Sequence, residues 1–438
     1  MHFIKHEHSL GIFFTIAFVL FLVFWGDQNS VGFNIPIPSP GTGGSGEAIK
    51  PGEQWPYTYI EDSASSKVKG ADGISLRVGG DGTMYTATSW QDSGGTIRLC
   101  MLTPGKRVYD NWSCVTVGKN SSAEFALLAQ ILGNGTFGVI SGGKGGIKMH
   151  VIQKKEDYLN PSLWKTYTIS VSVAKDMVQE WNDTVWFDVD KDGHPDIIAG
   201  GDKGIFGWFK SPKNPLNVNA WVFYPMVNKN NMRWEMGIHR RDMDGDGDID
   251  FVVSDRGSHT YAGVSWFENP GVGGKQRGYW QRHDILRRKE VRMISLRDVN
   301  RDGKQDILVA ATSPAEAIIL LRQDNKGNSW KAVKIPVGKY GGYPKDVDAV
   351  DLDKDGRIDI VVTTVDLQDK GKGIYYLSQK DPDIYTSEWE FHQINPIGAK
   401  GDNITLRDFD SDGDLDLATS IEIPNLGNLI FWNPKIKK

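Results

Sequence analysis

The feature that most constrains this 438-residue sequence is an acidic nine-residue pattern, D-x-D-x-D-G-x-x-D, which occurs five times in its second half. The starts of the five copies lie 54, 56, 53 and 57 residues apart. A repeat of roughly 50 residues is typical of propellers, in which each unit is one four-stranded blade. The copies occupy residues 188–196, 242–250, 298–306, 351–359 and 408–416.

Each copy has the ligand pattern of a calcium loop. Side-chain oxygens at the first, third and fifth positions, followed by Gly at the sixth, surround one hard cation. Five equivalent sites are poor candidates for five active sites, so we expect up to five structural Ca²⁺ ions. The candidate ligands are Asp188, Asp190, Asp192, Asp196, Asp242, Asp244, Asp246, Asp250, Asp298, Asn300, Asp302, Asp306, Asp351, Asp353, Asp355, Asp359, Asp408, Asp410, Asp412 and Asp416.

Two further markers raise the count of units to seven. Degenerate copies of the loop lie one and two periods earlier, at residues 133–136 and 80–83. A second marker, Trp followed five residues later by Ile, Val or Met, also occurs seven times and predicts an outer strand. The seven tryptophans are Trp55, Trp112, Trp164, Trp221, Trp280, Trp330 and Trp389.

The order of these markers predicts how the ring closes. We label the four strands of a blade A to D, with the acidic loop between A and B and the Trp stretch as D. The first Trp stretch precedes any A strand, and the sequence stops after the last C strand. The N-terminal strand is therefore expected to complete the last blade, which removes open sheet edges. The prediction is an all-β, seven-bladed β-propeller over residues 51–438.

The repeat resembles the FG-GAP or VCBS-type propellers, which include the integrin α-subunit head. The blade ends at residues 266–270 (Trp-Phe-Glu-Asn-Pro) and 432–434 (Trp-Asn-Pro) are similar to those of secreted microbial members. The resemblance covers about 390 residues and implies the fold. Similar propellers serve as lectins, polysaccharide lyases and an aldos-2-ulose dehydratase, so the resemblance specifies function only weakly.

The N-terminus predicts export. Lys5 precedes an apolar run over residues 10–25, which is long for a signal peptide and short for a spanning helix. Residues 1–26 are thus expected to be a signal peptide or membrane anchor, and residues 27–50 a Gly/Pro/Ser-rich linker. Either alternative places the propeller outside the cell, secreted or attached to its surface.

Two cysteines, Cys100 and Cys114, fall in consecutive predicted strands of the first blade. Two interpretations stay open: a disulfide across the sheet in an oxidising compartment, or two buried thiols. The formal net charge of −5 reflects acidic loops, and no basic stripe with interleaved aromatics indicates nucleic acid.

A ligand is expected on the face opposite the acidic loops, where residues preceding A strands and following B strands meet. Aromatic faces there could stack on sugar rings, and carboxylates or Arg could bind hydroxyls and uronates. The predicted ligand-binding residues are Trp90, Trp181, Asp183, Arg233, Trp234, Glu235, Asp255, Arg292, Asp346 and Asp402.

The fourth blade departs most from the repeat, and it supplies the candidate catalytic residues. Uronate β-elimination needs a cation at the carboxylate and a base at the α-carbon. The side chains of that blade that fit these roles are His259, Tyr261, Arg256 and His239.

Three functions follow as hypotheses. The favoured one is an exported, calcium-stabilised module that binds a glycan or polysaccharide, or mediates adhesion. The alternatives are a uronate lyase or sugar dehydratase, and a scaffold for protein partners tethered to the membrane by an uncleaved N-terminus. No sequential catalytic motif decides between enzyme and binding module.

Overall fold

The computed structural model describes residues 54–106, 109–171, 178, 180–228, 231–257, 259–271, 278–340, 342–365, 373–385, 387–395 and 400–434. The predicted signal or anchor and the predicted linker lie outside these ranges. Within them, no helix is both long and apolar enough to cross a membrane.

The described residues form seven antiparallel sheets, each of which is one blade. Blades one to three comprise β2 (Ala71–Val78), β3 (Met84–Trp90), β4 (Thr96–Leu102) and β5 (Ser113–Lys119); β6 (Phe125–Ala129), β7 (Gly138–Gly142), β8 (Lys148–Val151) and β9 (Lys165–Thr168); and β10 (Trp181–Phe187), β11 (Asp196–Gly201), β12 (Phe206–Lys210) and β13 (Val222–Pro225). Blades four to six comprise β14 (Glu235–Arg241), β15 (Asp250–Asp255), β16 (Gly263–Glu268) and β17 (Gln281–Arg287); β18 (Val291–Arg297), β19 (Asp306–Thr312), β20 (Ala315–Arg322) and β21 (Trp330–Ile335); and β22 (Pro344–Val350), β23 (Asp359–Thr364), β24 (Ile374–Gln379) and β25 (Trp389–Asn395).

The seventh blade joins the two ends of the chain. Its strands are β26 (Lys400–Gly401), β27 (Thr405–Arg407), β28 (Asp416–Ile423), β29 (Gly427–Phe431) and β1 (Tyr57–Asp62). Strand β1 pairs antiparallel with β29, from Tyr57 opposite Phe431 to Asp62 opposite Gly427. The predicted closure by the N-terminal strand is confirmed, as is the seven-bladed all-β fold.

Helical structure within the described ranges is limited to short connections. The α-helix α1 (Ser63–Ser66) follows β1, and its N-cap Asp62 accepts hydrogen bonds from the backbone N–H groups of Ala64 and Ser65. The 3-10 turns are Gln91–Ser93, Lys155–Asp157, Pro161–Leu163 and Val337–Tyr340.

The core lies between neighbouring blades. The second and third strands carry apolar residues on both faces because both faces are covered: every residue of β19 and of β23 is buried. One cluster joins blades five and six through Leu308, Ile319, Val347, Val362 and Tyr375. Truncating such a side chain typically costs about 2–5 kcal/mol, so each blade depends on its neighbours for stability.

Three tryptophans of the second marker are hydrogen-bonded to the connection that precedes them. Trp164, Trp221 and Trp330 each donate Nε1–H to a backbone carbonyl of the preceding connection, those of Tyr158, Pro215 and Gly327, at 2.8–2.9 Å. Their rings pack against the core while the indole N–H is satisfied, as buried tryptophans usually require.

The two cysteines form a disulfide. Cys100 on β4 and Cys114 on β5 lie directly opposite each other. Their Cα atoms are 4.0 Å apart and their sulfurs are bonded at 2.03 Å. The interpretation as two buried thiols is therefore wrong for this structure.

Candidate functional site

The five acidic loops connect the first and second strands of blades three to seven, as predicted. The first Asp of the pattern organises the turn: Asp188 accepts the N–H of Asp192 at 3.1 Å and that of Gly193 at 2.9 Å. Gly193 has φ of +86°, which a residue with a Cβ adopts only with strain. The Gly at the sixth position is thus a backbone requirement of the loop.

The ninth residue of the pattern is a buried carboxylate that links two segments of the backbone. Asp306 has no exposed surface; it accepts the N–H of Val299 at 2.9 Å and that of Arg322 at 2.8 Å. It therefore fastens the acidic loop to the end of the third strand. The same pair of backbone hydrogen bonds is made by Asp196, Asp250 and Asp416. The sequence placed these residues among the metal ligands without showing this structural role.

The loop residues fit a hard cation. In three loops a set of carboxylate oxygens lies within 4.8 Å of one another, a spacing that a single ion can bridge. One oxygen of Asp190 is buried without a hydrogen-bond partner, and Lys210 lies against both Asp190 and Asp192. The sets are Asp188, Asp190 and Asp196; Asp242, Asp244 and Asp246; and Asp351, Asp353 and Asp355. Calcium at these loops stays a prediction.

Six predicted residues of blade four converge on the opposite face, in what we call the blade-four corner: Arg233, Trp234, Asp255, Arg256, His259 and Tyr261. Asp255 is buried at its centre. Its Oδ1 accepts the N–H groups of Trp234 at 3.0 Å and Gly257 at 3.1 Å. Its Oδ2 lies 2.8 Å from Nε2 of His259. Asp255 thus holds the loop together and is not free to bind a ligand.

The same loop occupies both nitrogens of His259. Nε2 donates to Asp255, and Nδ1 accepts the N–H of Tyr261 at 3.3 Å. A general base needs a free nitrogen within hydrogen-bonding reach of its substrate. This arrangement leaves His259 without one in the described conformation.

Aromatic and cationic side chains of the blade-four corner stack on each other. The guanidinium of Arg256 lies 5.0 Å from the ring centroid of Trp234, and that of Arg287 lies 4.7 Å from Tyr261. Trp234 is 40% exposed and Tyr261 37% exposed. Both rings are therefore available to a ligand, and the adjacent guanidinium groups orient them.

Two predicted stacking surfaces are buried instead. Trp90 has no exposed surface and packs with Val68 and Ala71. Trp181 is 5% exposed and contacts the rings of Phe209 and Phe223. The expectation that these two rings lie on the rim is wrong, because each begins or ends a strand on its core side.

Two predicted ligand-binding aspartates join adjacent blades. Asp183 accepts the N–H of Ile238 at 3.0 Å, and Asp346 accepts that of Ile404 at 2.8 Å. Asn403 forms the equivalent bond, accepting the N–H of Ile74 at 2.9 Å. These side chains hold one inner strand to the next at three junctions, between blades three and four, six and seven, and seven and one. Their repetition supports a structural role.

The other predicted residues have distinct environments. Glu235 is fully buried with both carboxylate oxygens unpartnered, and burial raises its pKa well above the usual range, with Asp183 adding to the effect. Nε2 of His239 lies 2.7 Å from the carbonyl of Ile294, so this histidine also joins two blades. Burial, with a contribution from the nearby Arg256, lowers the pKa of Arg292 to about 10.

A set of charged residues that the sequence analysis largely missed lies on this face, and two of its members, Asp72 and Glu124, line the central cavity. We call it the mouth cluster: Asp72, Glu124, Glu180, Lys345, Lys400, Asp402 and Glu422. Of these only Asp402 was predicted as a site residue. A signal was present, since a charged residue recurs at the start of the inner strand at the repeat spacing: Asp72, Glu124, Glu180, Glu235, Arg292, Lys345 and Asp402.

The mouth cluster is desolvated and closely packed. Lys345 lies 2.9 Å from Asp402, and Lys400 forms an ion pair with Glu422. Carboxylate oxygens of Asp72, Asp402 and Glu422 all lie within 4.8 Å of one another. Burial raises the pKa of Asp72 well above its usual range, and the neighbouring Asp402 raises it further.

A cavity of about 460 Å³ extends from the mouth cluster along the propeller axis. It is lined by inner strands of all seven blades, with Asp72 and Glu124 near one end and Arg77 and Arg297 near the other. Ligand cavities in proteins commonly range from 300 to 1,000 Å³, so the volume suits a small polar ligand or the end of a larger one.

The fold and its acidic loops define a seven-bladed β-propeller that contains the FG-GAP-like repeat. The model of the FG-GAP-like repeat family matches residues 298–362, which extend from the acidic loop of blade five into the second strand of blade six. The predicted repeat type is confirmed. No curated protein matches the sequence.

Several solved structures have a similar arrangement. The BP39L lectin from Burkholderia pseudomallei is 13% identical, with a TM-score of 0.49, covering 83% of this chain and 98% of that one. An Agrocybe aegerita lectin that recognises non-reducing terminal N-acetylglucosamine is 16% identical, with a TM-score of 0.47 and coverage of 76% and 83%. The NanB sialidase from Streptococcus pneumoniae is 11% identical, with a TM-score of 0.42 and coverage of 87% and 68%. At such low similarity none of them indicates what this chain binds.

Proposed function

We propose that this chain is an exported, calcium-stabilised β-propeller that binds carbohydrate on the face opposite its acidic loops. The observation that carries the proposal is the mouth cluster, a set of desolvated charged groups of which Asp72 and Glu124 line a cavity. Carboxylates without partners accept hydrogen bonds from sugar hydroxyls, and lysines donate to them. The export and calcium components rest on the sequence pattern.

Exposed aromatic rings on the same face support a sugar ligand. Trp234 and Tyr261 belong to the blade-four corner, and Tyr343, which is 52% exposed, precedes β22 of blade six. Aromatic faces bury the apolar side of a sugar ring while the rim hydroxyls reach polar groups. The combination of desolvated charges with exposed rings is what a glycan-binding face needs.

Binding is favoured over catalysis by the histidines of blade four. His259 has both nitrogens engaged within its own loop, and Nε2 of His239 contacts the backbone of the next blade. No described residue of the blade-four corner therefore combines a free basic nitrogen with access to the face. The experiment below includes results that would support the lyase hypothesis or the scaffold hypothesis instead.

The test is a glycan array probed with the full-length chain in millimolar Ca²⁺, read before and after prolonged incubation. We expect retention of unchanged glycans and a loss of roughly 5- to 10-fold in retention for Trp234→Ala, the effect of one aromatic contact. Tyr279→Ala is the matched control, because Tyr279 is 58% exposed and precedes β17 on the acidic-loop face.

The other outcomes contradict the proposal in distinguishable ways. Disappearance of an acidic glycan with formation of an unsaturated product would make the protein a lyase. No retention of any glycan by a folded, calcium-loaded chain would reject carbohydrate binding and favour a protein partner.

A further inference from the structure

Within the mouth cluster, Asp402 and Glu422 each have a lysine partner, whereas Asp72 has none within the described residues. Lys345 pairs with Asp402, and Lys400 pairs with Glu422. Asp72 is only 9% exposed, and its carboxylate makes no hydrogen bond or ion pair within the described residues. Its oxygens are therefore available to a donor group of a ligand.

The geometry around Asp72 is open toward a ligand. Its side chain lines the central cavity, and its carboxylate oxygens approach those of Asp402 and Glu422 within 4.8 Å. Both oxygens of Asp402 are inaccessible to solvent, and Oδ2 contacts no described donor. Asp72 thus lies at one end of a cavity with two further carboxylates beside it, and hydrogen bonds satisfy the three only in part.

The contacts of these carboxylates favour an ammonium group over a divalent cation. Two lysine ammonium groups already lie against Asp402 and Glu422, which shows that N–H donors fit their spacing. A further ammonium group can share the carboxylates through single hydrogen bonds. A divalent ion needs several oxygen ligands at once, and the lysines already contact two of the three carboxylates.

We propose that Asp72, flanked by Asp402 and Glu422, binds a primary ammonium group of the ligand, so that the propeller selects glycans that contain unacetylated amino sugars. This proposal rests on the proposed carbohydrate-binding function and specifies its substrate class. The ammonium donates to Asp72, and the two adjacent carboxylates stabilise its charge, while the rest of the sugar extends from the cavity toward the exposed rings. An N-acetylated sugar lacks the charge and adds an acetyl group, so it binds more weakly.

Flanking carboxylates add to the preference for a cation. Glu124 lines the same cavity, and burial together with the neighbouring Glu180 raises its pKa to about 7. Both lie on the side of Asp72 that faces blades two and three. An anionic sugar would meet these groups at the opening, whereas a cationic one is attracted by them.

The experiment compares three oligosaccharides of equal length: a chitosan oligomer, the fully N-acetylated chitin oligomer and a neutral glucan. Binding to the full-length chain is measured by calorimetry in saturating Ca²⁺, which keeps the acidic loops occupied. We expect chitosan to bind more tightly than the other two. Asp72→Asn should weaken chitosan binding by about 10- to 100-fold, as expected for a lost charge-assisted hydrogen bond.

The control variant is Glu156→Gln, an exposed carboxylate between the third and fourth strands of blade two, on the acidic-loop face. It should leave chitosan binding unchanged. Equal weakening by both variants would show non-specific attraction and overturn the proposal. Displacement of chitosan by added Mg²⁺ or Mn²⁺, lost in Asp72→Asn, would identify a metal site and overturn it as well.

The proposed function and this inference fail separately. If chitin or glucan binds as well as chitosan and Asp72→Asn changes nothing, the ammonium site is rejected while carbohydrate binding stands. If none of the three binds and the glycan array is also silent, the proposed function itself is rejected. Circular dichroism of each variant shows whether a loss of binding reflects loss of fold, and Asp402→Asn provides an independent test at the same site.

Discussion

At the scale of single residues, hydrogen bonding separates aspartates that look alike in the sequence. Asp306 links an acidic loop to a strand end through two backbone hydrogen bonds, and Asp183 joins two blades. Asp72 makes neither kind of contact. The sequence predicted acidic loop positions correctly but could not distinguish these roles, since each depends on which backbone N–H groups face the carboxylate in the folded sheet.

The same limit explains why two of the three tryptophans predicted to bind a ligand are buried. Trp90, Trp181 and Trp234 all lie near strand ends, and each was predicted to present its ring to a ligand. Only Trp234 does so. A shift of one residue along a strand moves a side chain to the other face of the sheet, and the sequence pattern did not fix that phase at the strand ends.

Asp72→Asn is expected to stabilise the protein in a pH-dependent way. Burial, Asp402 and Glu124 raise the folded-state pKa of Asp72 above its ordinary value of 3.8, while Lys345 and Lys400 oppose this increase. Between the unfolded and folded pKa values the folded state holds more protons, so stability conferred at this position falls as pH rises. The variant should therefore be as stable as wild type below pH 3.8 and increasingly more stable than wild type above it.

Denaturant unfolding of both proteins between pH 3.5 and 8 measures this difference. Glu156→Gln serves again as the control, and the difference between its stability and that of wild type should not grow as the pH rises. A variant less stable than wild type at pH 8 would mean that Asp72 is ionised and compensated in the free protein.

At the scale of elements, the acidic loop is the unit that the sequence predicts best. Its determinants are local: Asp188 accepts N–H groups four and five residues ahead, and Gly193 supplies a positive φ. Local hydrogen bonds need no information from distant segments, which is why the spacing alone identified every such turn in blades three to seven.

Removal of calcium is expected to lower the melting temperature. The loops bring together carboxylates that repel one another when no cation is bound. An ion present at about 100 times its Kd contributes about 2.7 kcal/mol of stability per site. Thermal melts with EDTA, with EDTA plus excess Ca²⁺, and with Mg²⁺ measure the effect.

A variant with one altered loop makes the test quantitative. Asp298→Asn should reduce the calcium-dependent increase in melting temperature by about the contribution of one of the five loops. Identical melting curves with and without EDTA would reject the calcium prediction.

At the scale of the whole molecule, both the number of blades and the closure of the ring were predictable, because seven markers and one displaced strand are countable in sequence. The mouth cluster was not. It combines Lys345 and Asp402 from the consecutive blades six and seven with Asp72 from blade one, and Asp72 becomes their neighbour only because the ring closes. Residues from opposite ends of a chain carry no local signal of their proximity.

Deletion of residues 1–62 is expected to destabilise the protein severely. It removes β1 and the buried side chains of Trp55, Tyr57 and Ile60. Truncating one buried aromatic costs about 3–5 kcal/mol, and the deletion also leaves β29 as an unpaired edge that favours association.

Urea unfolding and size-exclusion chromatography measure both effects. Deletion of residues 1–50, the predicted export and linker segments, is the control and should retain wild-type stability. A monomeric 63–438 fragment with unchanged stability would show that the ring does not depend on β1.

The pairing of the first strand with the last also sets the timing of biosynthesis. Thr58 contacts Trp432 across 374 residues. At 5 to 20 residues per second, the ribosome needs about 20 to 75 s to make that intervening chain. During this interval β1 has no partner, and blades formed early stand as an incomplete arc. The arc closes only after β29 has left the ribosome, so the nascent chain needs protection from aggregation until that strand arrives.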